Sequence, residues 1–554
     1  MCGILFILCK TLEQNKNLSD IFQIFKGQIS RRGPDSLETL TYITAENICL
    51  FFAASVLWLQ GKTLTKQPIA NNKAIFIYNG DIFKGIPDEC RSEGDTQYIF
   101  DLLTKVEPGN IHNELYKLQG PYSFIFYDKL NNKIYFGRDK FGRRSLLIGK
   151  NNNNVILCSV AQRTKDFEFI ELPSVGTFIW DLKTNSFALH PFSQNDNFKK
   201  KVKELEQFLE HNIIILNTEI VQDQIFYEPS SNHIDMYKSL ENMNIDDAVS
   251  LLLNNKDWMS KVTTLHSLLT DSIKRRISSQ PKFCKICIKD KLPCNHCTVG
   301  VLFSGGVDCS ILALLSDQFV EKDRPIDLFN VAFDETEDYK TPDRLTGLET
   351  FQELQNICPN REWRFNEVNI TKLELDERRH VLIVDLIYPL KSVLDDSLGC
   401  ALWFASRGVV DSNCRVLLVG MGADELFGGY TKHRAAFKRE SWSGLHEILT
   451  EDWQNLPYRN LGRDDRVVSD HGRQLRTPYL DEQVVNYVRG LQCWEKTCPS
   501  DKLRHGFGDK ILLRSLAYHL GLKKAAFLKK RALQFGSRIA NSKEVANEVS
   551  SRLC

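Results

Sequence analysis

The sequence predicts a protein of mixed α/β and α+β class, in which an N-terminal part built on short strands precedes a doubly wound parallel sheet. Apolar runs at residues 75–78, 123–127 and 133–136 are typical of strands. In the second half, an apolar run rich in β-branched residues starts at Val299, breaks at the Ser-Gly-Gly of 304–306 and passes into helical spacing. This pattern indicates a strand, a tight turn and a helix.

Composition limits the classes of function. The chain has 554 residues, of which 42% are hydrophobic, and its 71 basic and 70 acidic residues leave a formal charge of +1. The charges are nearly balanced, so they do not indicate nucleic acid or an anionic membrane as a partner. The apolar run at residues 4–9 is too short to cross a bilayer and has no basic segment before it, so we expect a cytoplasmic protein. Its 16 cysteines are then expected to be thiols, ligands or catalysts rather than disulfides.

Cys2 follows the initiator methionine directly. Removal of Met1 would leave an N-terminal residue that carries a thiol and an α-amine on adjacent atoms. An α-amine with a pKa near 8 can accept the thiol proton directly or through water, so such a residue contains its own general base. The alternative is a cysteine that stands at this position by chance.

Several short motifs follow Cys2 in order. They are Arg-Arg-Gly-Pro-Asp at 31–35, Tyr-Asn-Gly-Asp-Ile-Phe at 78–83, Gly-Asp-Thr at 94–96, Gly-Arg-Asp at 137–139 and Phe-Gly-Arg at 141–143. Together they resemble the class II glutamine amidotransferase domain. The resemblance implies an α-β-β-α sandwich of the N-terminal nucleophile hydrolase type.

The same resemblance implies roles for individual residues. Cys2 would attack the side-chain amide of glutamine. Asn79 and the backbone N–H of Gly80 would form the oxyanion hole, and Asp95 would hold the α-amine of glutamine. One position departs from the family, because Val56 stands where an arginine binds the glutamine carboxylate. Valine cannot pair with a carboxylate, so glutamine affinity should fall unless another cation, for example Lys62, takes over.

The loop after Val299 resembles the pyrophosphate-binding loop of the ATP pyrophosphatases, Ser-Gly-Gly-x-Asp-Ser. Glycines allow backbone N–H groups to approach phosphate oxygens at the start of a helix, and Asp308 offers an oxygen ligand for Mg²⁺. Cys309 replaces the family's serine. The resemblance implies ATP or pyrophosphate contacts from Ser304, Gly305, Gly306 and Ser310. In that family the end of the next strand meets adenine, which makes Val331 and Phe333 candidates, with plain sheet core as the alternative.

A third strand at residues 415–419 ends in Gly-Met-Gly-Ala-Asp-Glu-Leu-Phe-Gly-Gly-Tyr at 420–430. This string resembles the second signature of the asparagine synthetases, at the strand end where doubly wound sheets bind ligands. The resemblance implies that Gly422 contacts the nucleotide and that Asp424 binds Mg²⁺ together with Asp308. Lys510 would neutralise charge on the phosphates. Glu425 would support the residues that bind the metal, or cap a helix.

Met421 is the second departure, since the synthetases have glutamate there beside the adenylate and the ammonia. Its loss removes a candidate proton acceptor worth about 10²- to 10⁴-fold in rate. With Val56, each half of the chain lacks one expected group, which is the pattern of a divergent group within the family. A segment at residues 461–481 also matches the family's aspartate and scaffold region.

The predicted organisation has three parts. Residues 2–190 form the amidotransferase-like domain, 191–260 a connection with a charged run, and 261–554 the synthetase domain. The predicted function is a glutamine-dependent asparagine synthetase that uses glutamine, aspartate, ATP and Mg²⁺; a homodimer is left open. Two alternatives remain: a nucleotide-binding regulatory or interaction protein with weakened chemistry, and an amide ligase for another carboxylic acid.

A cysteine-rich loop at residues 284–297 precedes the central strand. Cys284, Cys287, Cys294 and Cys297 form two Cys-x-x-Cys pairs. Four thiolates suit a closed tetrahedral Zn²⁺ site, although the gap between the pairs is shorter than in common zinc ribbons. His296 could replace one cysteine, and the alternative is a loop with four reduced thiols.

Overall fold

The computed structural model describes residues 2–9, 15–151, 154–192, 196–216, 225–409, 412–504, 506–540 and 545–553. Its strands are β1 Gly3–Cys9, β2 Ser36–Ile43, β3 Cys49–Val56, β4 Ile69–Ala70, β5 Ala74–Gly80, β6 Tyr122–Asp128, β7 Lys133–Arg138, β8 Leu147–Lys150, β9 Asn154–Cys158, β10 Glu168–Glu171, β11 Gly176–Asp181, β12 Ser186–Pro191, β13 Ile213–Ile215, β14 Val299–Leu302, β15 Ile326–Ala332, β16 Trp363–Asn369, β17 Val416–Leu418 and β18 Gln474–Arg476.

Its α-helices are α1 Asn15–Arg32, α2 Asp95–Lys105, α3 Ile111–Lys117, α4 Asp196–Leu209, α5 Ser231–Leu240, α6 Ile245–Asn254, α7 Lys256–Ser278, α8 Val307–Ser316, α9 Pro342–Ile357, α10 Lys372–Arg378, α11 Val384–Ile387, α12 Val393–Arg407, α13 Ala423–Phe427, α14 Thr431–Arg459, α15 Leu461–Ser469, α16 Glu482–Gly490, α17 Ile511–His519 and α18 Leu533–Gly536. Across the described ranges, none of these helices is long and apolar enough to span a membrane.

Two β-sheets between helices build the N-terminal part. The first has the strand order β10-β8-β9-β1-β3-β2 and the second β13-β12-β11-β7-β6-β5-β4. Neighbours pair antiparallel except β12 and β13, which run parallel. Residues of β1 alternate in direction: Ile4 and Phe6 pack between the sheets, whereas Leu5 and Ile7 pack toward α1. Helices α2 and α3 cover the outer face of the second sheet. The α-β-β-α sandwich is therefore confirmed.

The C-terminal part is built on a parallel sheet with the order β16-β15-β14-β17-β18. The central strand β14 is buried throughout and is followed by α8, so its strand, turn and helix lie as predicted. The carboxyl ends of β14 and β17 are neighbours on either side of a change in winding direction, which is where such sheets bind ligands. The doubly wound class is also confirmed.

Residues 191–260, which the sequence presented as a stretch without motifs, contain regular structure. The charged run there forms α4, and β13 extends the second sheet by pairing with β12. Helices α5 and α6 bury apolar residues such as Leu240 and Val249 against the core of the C-terminal part. The part of this stretch that the structure describes therefore packs on both halves of the molecule.

Candidate functional site

Cys2 lies at the start of β1, where its side chain is 6% exposed. Its backbone nitrogen, which is the α-amine once Met1 is removed, donates to Asn79 Oδ1 at 3.0 Å. Gln67 Nε2 lies 3.5 Å from the Cys2 sulfur, and the Gln67 oxygen is held by the backbone N–H of Tyr78 at 2.7 Å. Burial raises the pKa of the Cys2 thiol. A base must therefore take the proton before the sulfur can attack, and the nearest amine is its own.

Asn79 and Gly80 end β5 beside Cys2. Asn79 is fully buried, and within the described part of the chain its side-chain Nδ2 has no hydrogen-bond acceptor. An unsatisfied buried donor is costly, so it is expected where a ligand supplies the missing acceptor. Gly80 cannot carry a Cβ because that atom would overlap the hydroxyl of Tyr78. The arrangement offers a free donor beside the nucleophile, as an oxyanion hole requires.

Asp95 is the first residue of α2 and is 6% exposed. Its carboxylate accepts from the backbone N–H of Ile82 at 3.1 Å and from the Tyr78 hydroxyl at 3.4 Å. Burial, together with the charge of Asp81, raises the pKa of Asp95 to about 7. A buried carboxyl of this kind gains from a cationic partner, and the α-ammonium of an amino acid is one.

The two positions considered for the glutamine carboxylate, Val56 and Lys62, differ in burial and in charge. Val56 ends β3 and is buried with the apolar side chains between the two sheets. Lys62 is exposed in the loop that follows, and its backbone N–H donates to Ser92 O at 2.9 Å. Val56 itself cannot bind a carboxylate.

In the C-terminal part, a cavity of about 790 Å³ opens at the carboxyl ends of the parallel strands. Its wall includes these predicted residues: Ser304, Gly306, Asp308, Val331, Gly422, Asp424, Glu425 and Lys510. Phe333 instead packs edge to face on Phe404 at 5.9 Å between ring centroids. Gly305 lies behind the wall with φ +80°, and a Cβ there would come within 2.6 Å of the backbone nitrogen of Gly347. Glycine is therefore required at this turn.

Ser310 was predicted to contact the nucleotide, but it is Cys309 that lines the cavity. The Ser310 hydroxyl is buried and donates to the carbonyls of Gly306 at 2.8 Å and Gly305 at 3.3 Å, inside the first turn of α8. Cys309 lines the cavity instead, with its sulfur 3.8 Å from the Ser304 hydroxyl. Burial raises the pKa of Cys309 to about 11, so the neutral thiol faces the cavity. The structure thus does not bring the Ser310 hydroxyl to the ligand side.

Lys510 joins the two acidic residues of the site. Its ammonium lies 2.7 Å from Asp308 Oδ2 and 2.6 Å from Asp424 Oδ1. Lys530 pairs with the other oxygen of Asp424 at 2.6 Å. Burial acts to raise the pKa of Asp424, but the two lysines outweigh it and hold that pKa well below its usual range. A Cβ at Gly429 would overlap both the Asp424 carboxylate and the Lys510 side chain, so the glycine of the signature makes room for this pair.

The cavity also contains functional candidates that sequence reasoning missed. Lys530 and Arg531 come from the chain after α17 and place further cations at the wall. The run Lys-Lys-Arg at 529–531 was the available signal. Asp343 also lines the cavity, and its pKa is raised to about 7 by burial. Met421 takes part in the wall at the position of the family's glutamate.

The cysteine-rich loop corrects one prediction. Cys284, Cys287, Cys294 and His296 offer ligand atoms that all lie within 4.8 Å of one another. Cys297 does not belong to this group: it is buried, donates to Val299 O at 3.0 Å and lies in a second group with Asp327 and Cys414. The chain bends at His296, whose imidazole faces the other three ligand atoms, whereas the Cys297 side chain faces the core. The set of four cysteines predicted from spacing is therefore wrong.

Buried ion pairs join the two halves between the sites. Asp465 forms ion pairs with Arg32 at 2.7 Å and with Arg144 at 3.1 Å, and all three side chains are almost fully buried. Arg476 of β18 lies 2.7 Å from Asp81. Residues from both halves thus form ion pairs where the two halves meet. Asp465 belongs to the segment 461–481, which was predicted to be the aspartate and scaffold region. Removing one member of such a pair leaves a buried charge without a partner.

Comparisons with known proteins agree with this geometry. A glutamine amidotransferase domain model matches residues 1–171, and an asparagine synthase model matches residues 294–443 and 436–550. The chain is 37% identical to asparagine synthetase domain-containing protein CG17486 of Drosophila melanogaster, over 100% of both chains. It is 33% identical to human asparagine synthetase domain-containing protein 1, over 100% of this chain and 97% of the relative.

A more distant relative is the glutamine-hydrolysing asparagine synthetase of Rattus norvegicus, at 24% identity over 88% of this chain and 78% of the relative. The two domain models follow each other in the order of the two sites described above. Full-length similarity above 30% rests on both halves together rather than on one shared domain. The chain therefore belongs to the asparagine synthetase family and, within it, to the asparagine synthetase domain-containing proteins.

Proposed function

We propose that the protein is a glutamine-dependent, ATP-consuming amide ligase that makes asparagine from aspartate. The observation that carries the proposal is the contact of one buried lysine, Lys510, with both Asp308 and Asp424 at the wall of the cavity. Two carboxylates from separate strand ends and a shared cation are the groups that a metal-bound triphosphate needs. The free Nδ2 donor of Asn79 beside Cys2 supports the glutaminase half independently.

In the first half, the α-amine of Cys2 would accept the thiol proton, and the sulfur would attack the side-chain carbonyl of glutamine. Asn79 Nδ2 and the Gly80 N–H would stabilise the oxyanion, where one donor is typically worth about 3 kcal/mol of barrier. Collapse of the tetrahedral adduct breaks the C–N bond and releases ammonia, which takes up the proton. Water then hydrolyses the thioester to glutamate and regenerates the thiol.

In the second half, an oxygen of the aspartate side chain would attack the α-phosphorus of ATP, and pyrophosphate would leave. Ammonia then attacks the carbonyl carbon of the β-aspartyl adenylate: a C–N bond forms, the acyl C–O bond breaks, AMP leaves with the bonding electrons, and the proton lost from nitrogen passes to water. The carboxylates of Asp308 and Asp424 fit a magnesium ion, which supplies charge neutralisation on the phosphates. Lys510 and Lys530 would turn from the acids toward phosphate oxygens, because both lysines already line the cavity.

The test is isotope exchange between pyrophosphate and ATP, scanned over carboxylic acids. We expect exchange that requires Mg²⁺ and aspartate, and we expect Asp308→Ala to lower it by about 100-fold or more. Asp323→Ala is a matched control, because this acid is exposed and lies outside the cavity wall. If the wild type shows no exchange with any acid, the ligase proposal fails.

One observation favours a second candidate. Met421 replaces a proton-accepting glutamate, and Leu394, Leu398 and Leu402 add apolar surface to the same cavity. A ligase for a less polar carboxylic acid would use the same adenylation chemistry with a different acceptor. Exchange with such an acid, and none with aspartate, would replace the asparagine assignment while retaining the mechanism.

A further inference from the structure

The cysteine-rich loop brings four ligand atoms together far from the chemistry described above. His296 Nδ1 lies 3.4 Å from Cys284 Sγ and 3.5 Å from Cys287 Sγ. Cys294 completes a group whose members all lie within 4.8 Å of one another. Neither the amidotransferase nor the ligase function assigns these residues a role.

The separations fit a tetrahedral metal. With Zn–S bonds near 2.3 Å and Zn–N bonds near 2.0–2.1 Å, a tetrahedral angle places sulfur and nitrogen about 3.6 Å apart. The two sulfur–nitrogen distances in the loop, 3.4 and 3.5 Å, agree with that value to within 0.2 Å. The backbone N–H of Cys287 also donates to Cys284 Sγ at 3.4 Å, and such a bond stabilises a thiolate.

The rest of the protein holds the loop in this shape. The buried guanidinium of Arg324 donates to the carbonyl of Lys282 at 2.9 Å and to that of His296 at 3.4 Å, so it fixes both ends of the ligand segment. Between them, the backbone N–H of Lys285 donates to Asn413 O at 2.9 Å, and its ammonium donates to His471 O at 2.8 Å. Ligands fixed by the surrounding fold form a site before any ion arrives.

We propose that Cys284, Cys287, Cys294 and His296 bind one structural Zn²⁺. Three thiolates and one imidazole select zinc over Mg²⁺ or Ca²⁺, which prefer oxygen. Four protein ligands leave no open coordination position, as in structural rather than catalytic sites. The loop precedes the amino end of β14, whereas the phosphate loop follows its carboxyl end, about 13 Å away along four residues. The metal therefore stabilises the sheet without contacting substrate.

The experiment uses the full-length protein, purified with reductant and without chelator, and measures zinc by elemental analysis. We expect about one zinc per chain. Cys284→Ser and His296→Ala should each lose most of it, whereas His296→Cys should retain it because thiolate can replace imidazole. Cys297→Ala is the matched control: this cysteine is the next residue in the chain but faces away, so zinc should stay at the wild-type level.

Two further measurements on the wild type keep the test independent of variant folding. A strong chelator should release the zinc and lower the melting temperature, and added Zn²⁺ should restore both. Replacement by Co²⁺ should give the charge-transfer absorption of thiolate ligands. Trace zinc with Cys284, Cys287 and Cys294 all alkylatable, a Cys284–Cys287 disulfide, or equal loss of zinc in Cys297→Ala would each overturn the proposal.

Discussion

The raised pKa of Asp95 predicts that glutamine binding depends on pH. The carboxyl is buried, accepts from Ile82 N–H, Tyr78 and Thr96, and has Asp81 as its nearby charge. Burial and Asp81 raise its pKa to about 7, so in the free protein the group is largely neutral below that pH. Only the ionised form can pair with the α-ammonium of glutamine. Affinity should therefore rise as the pH rises through 7.

The magnitude follows from the fraction ionised. With a pKa of about 7, roughly one tenth of Asp95 is charged at pH 6 and roughly nine tenths at pH 8. Because the apparent dissociation constant is the intrinsic one divided by the competent fraction, glutamine should bind about tenfold more tightly at pH 8 than at pH 6. At pH 7, binding should release about half a proton per glutamine.

Calorimetry with the Cys2→Ala variant measures both quantities, because this variant binds glutamine without hydrolysing it. Titration in two buffers of different ionisation enthalpy gives the proton release. Asp101→Asn is a matched control, since Asp101 lies on the same helix and is only partly buried. Asp95→Asn should weaken binding and remove the slope, which separates Asp95 from the α-amine. A flat affinity between pH 6 and 8 without proton release would refute the reasoning.

Three further predictions test other parts of the molecule. Cys2→Ala should lower glutamine-dependent ligase turnover by about a thousandfold or more, while ammonia-dependent turnover stays at the wild-type level in the same assay. Arg476→Met should lower the unfolding free energy by about 3–5 kcal/mol in denaturant titrations because it leaves Asp81 buried without a cation, and the double variant with Asp81→Asn should recover most of the loss. Asp343 binds a proton in the folded state up to about pH 7, so its burial costs stability above the unfolded pKa; Asp343→Asn should raise the melting temperature at pH 8 and not at pH 4.

The fold could be predicted because its signals are local. The parallel strands β14, β15 and β17 are short runs that are buried throughout, and the motif order identifies the neighbours of Cys2. The cations of the ligand cavity could not be predicted in this way. Lys530 reaches Asp424 from 106 positions away in the chain, and the basic run at 529–531 does not indicate which acid it approaches. Asp343 resembles any acid in the first turn of a helix until tertiary packing buries it.

The spacing of the cysteines did not predict which of their side chains face the loop. The two Cys-x-x-Cys pairs suggested four equivalent ligands, yet Cys297 turns into the core and His296 faces the loop. Spacing fixes the distance along the chain, but it does not fix the side that each residue faces where the chain bends, as it does at His296. Cys297 lies two residues before the central strand and is buried in the same core as Val299.

The electrostatics around Asp95 depend on the C-terminal half of the molecule. Asp81 lies between Asp95 and Arg476: it raises the pKa of Asp95 on one side and pairs with Arg476 at 2.7 Å on the other. Arg476 belongs to β18 of the parallel sheet, and burial lowers its pKa to about 10. A shift of β18 that lengthens this pair would change the charge seen by Asp95. Because any such coupling is reciprocal, the ionisation that accompanies glutamine binding would in turn act on the strand beside β17, which leads to Asp424.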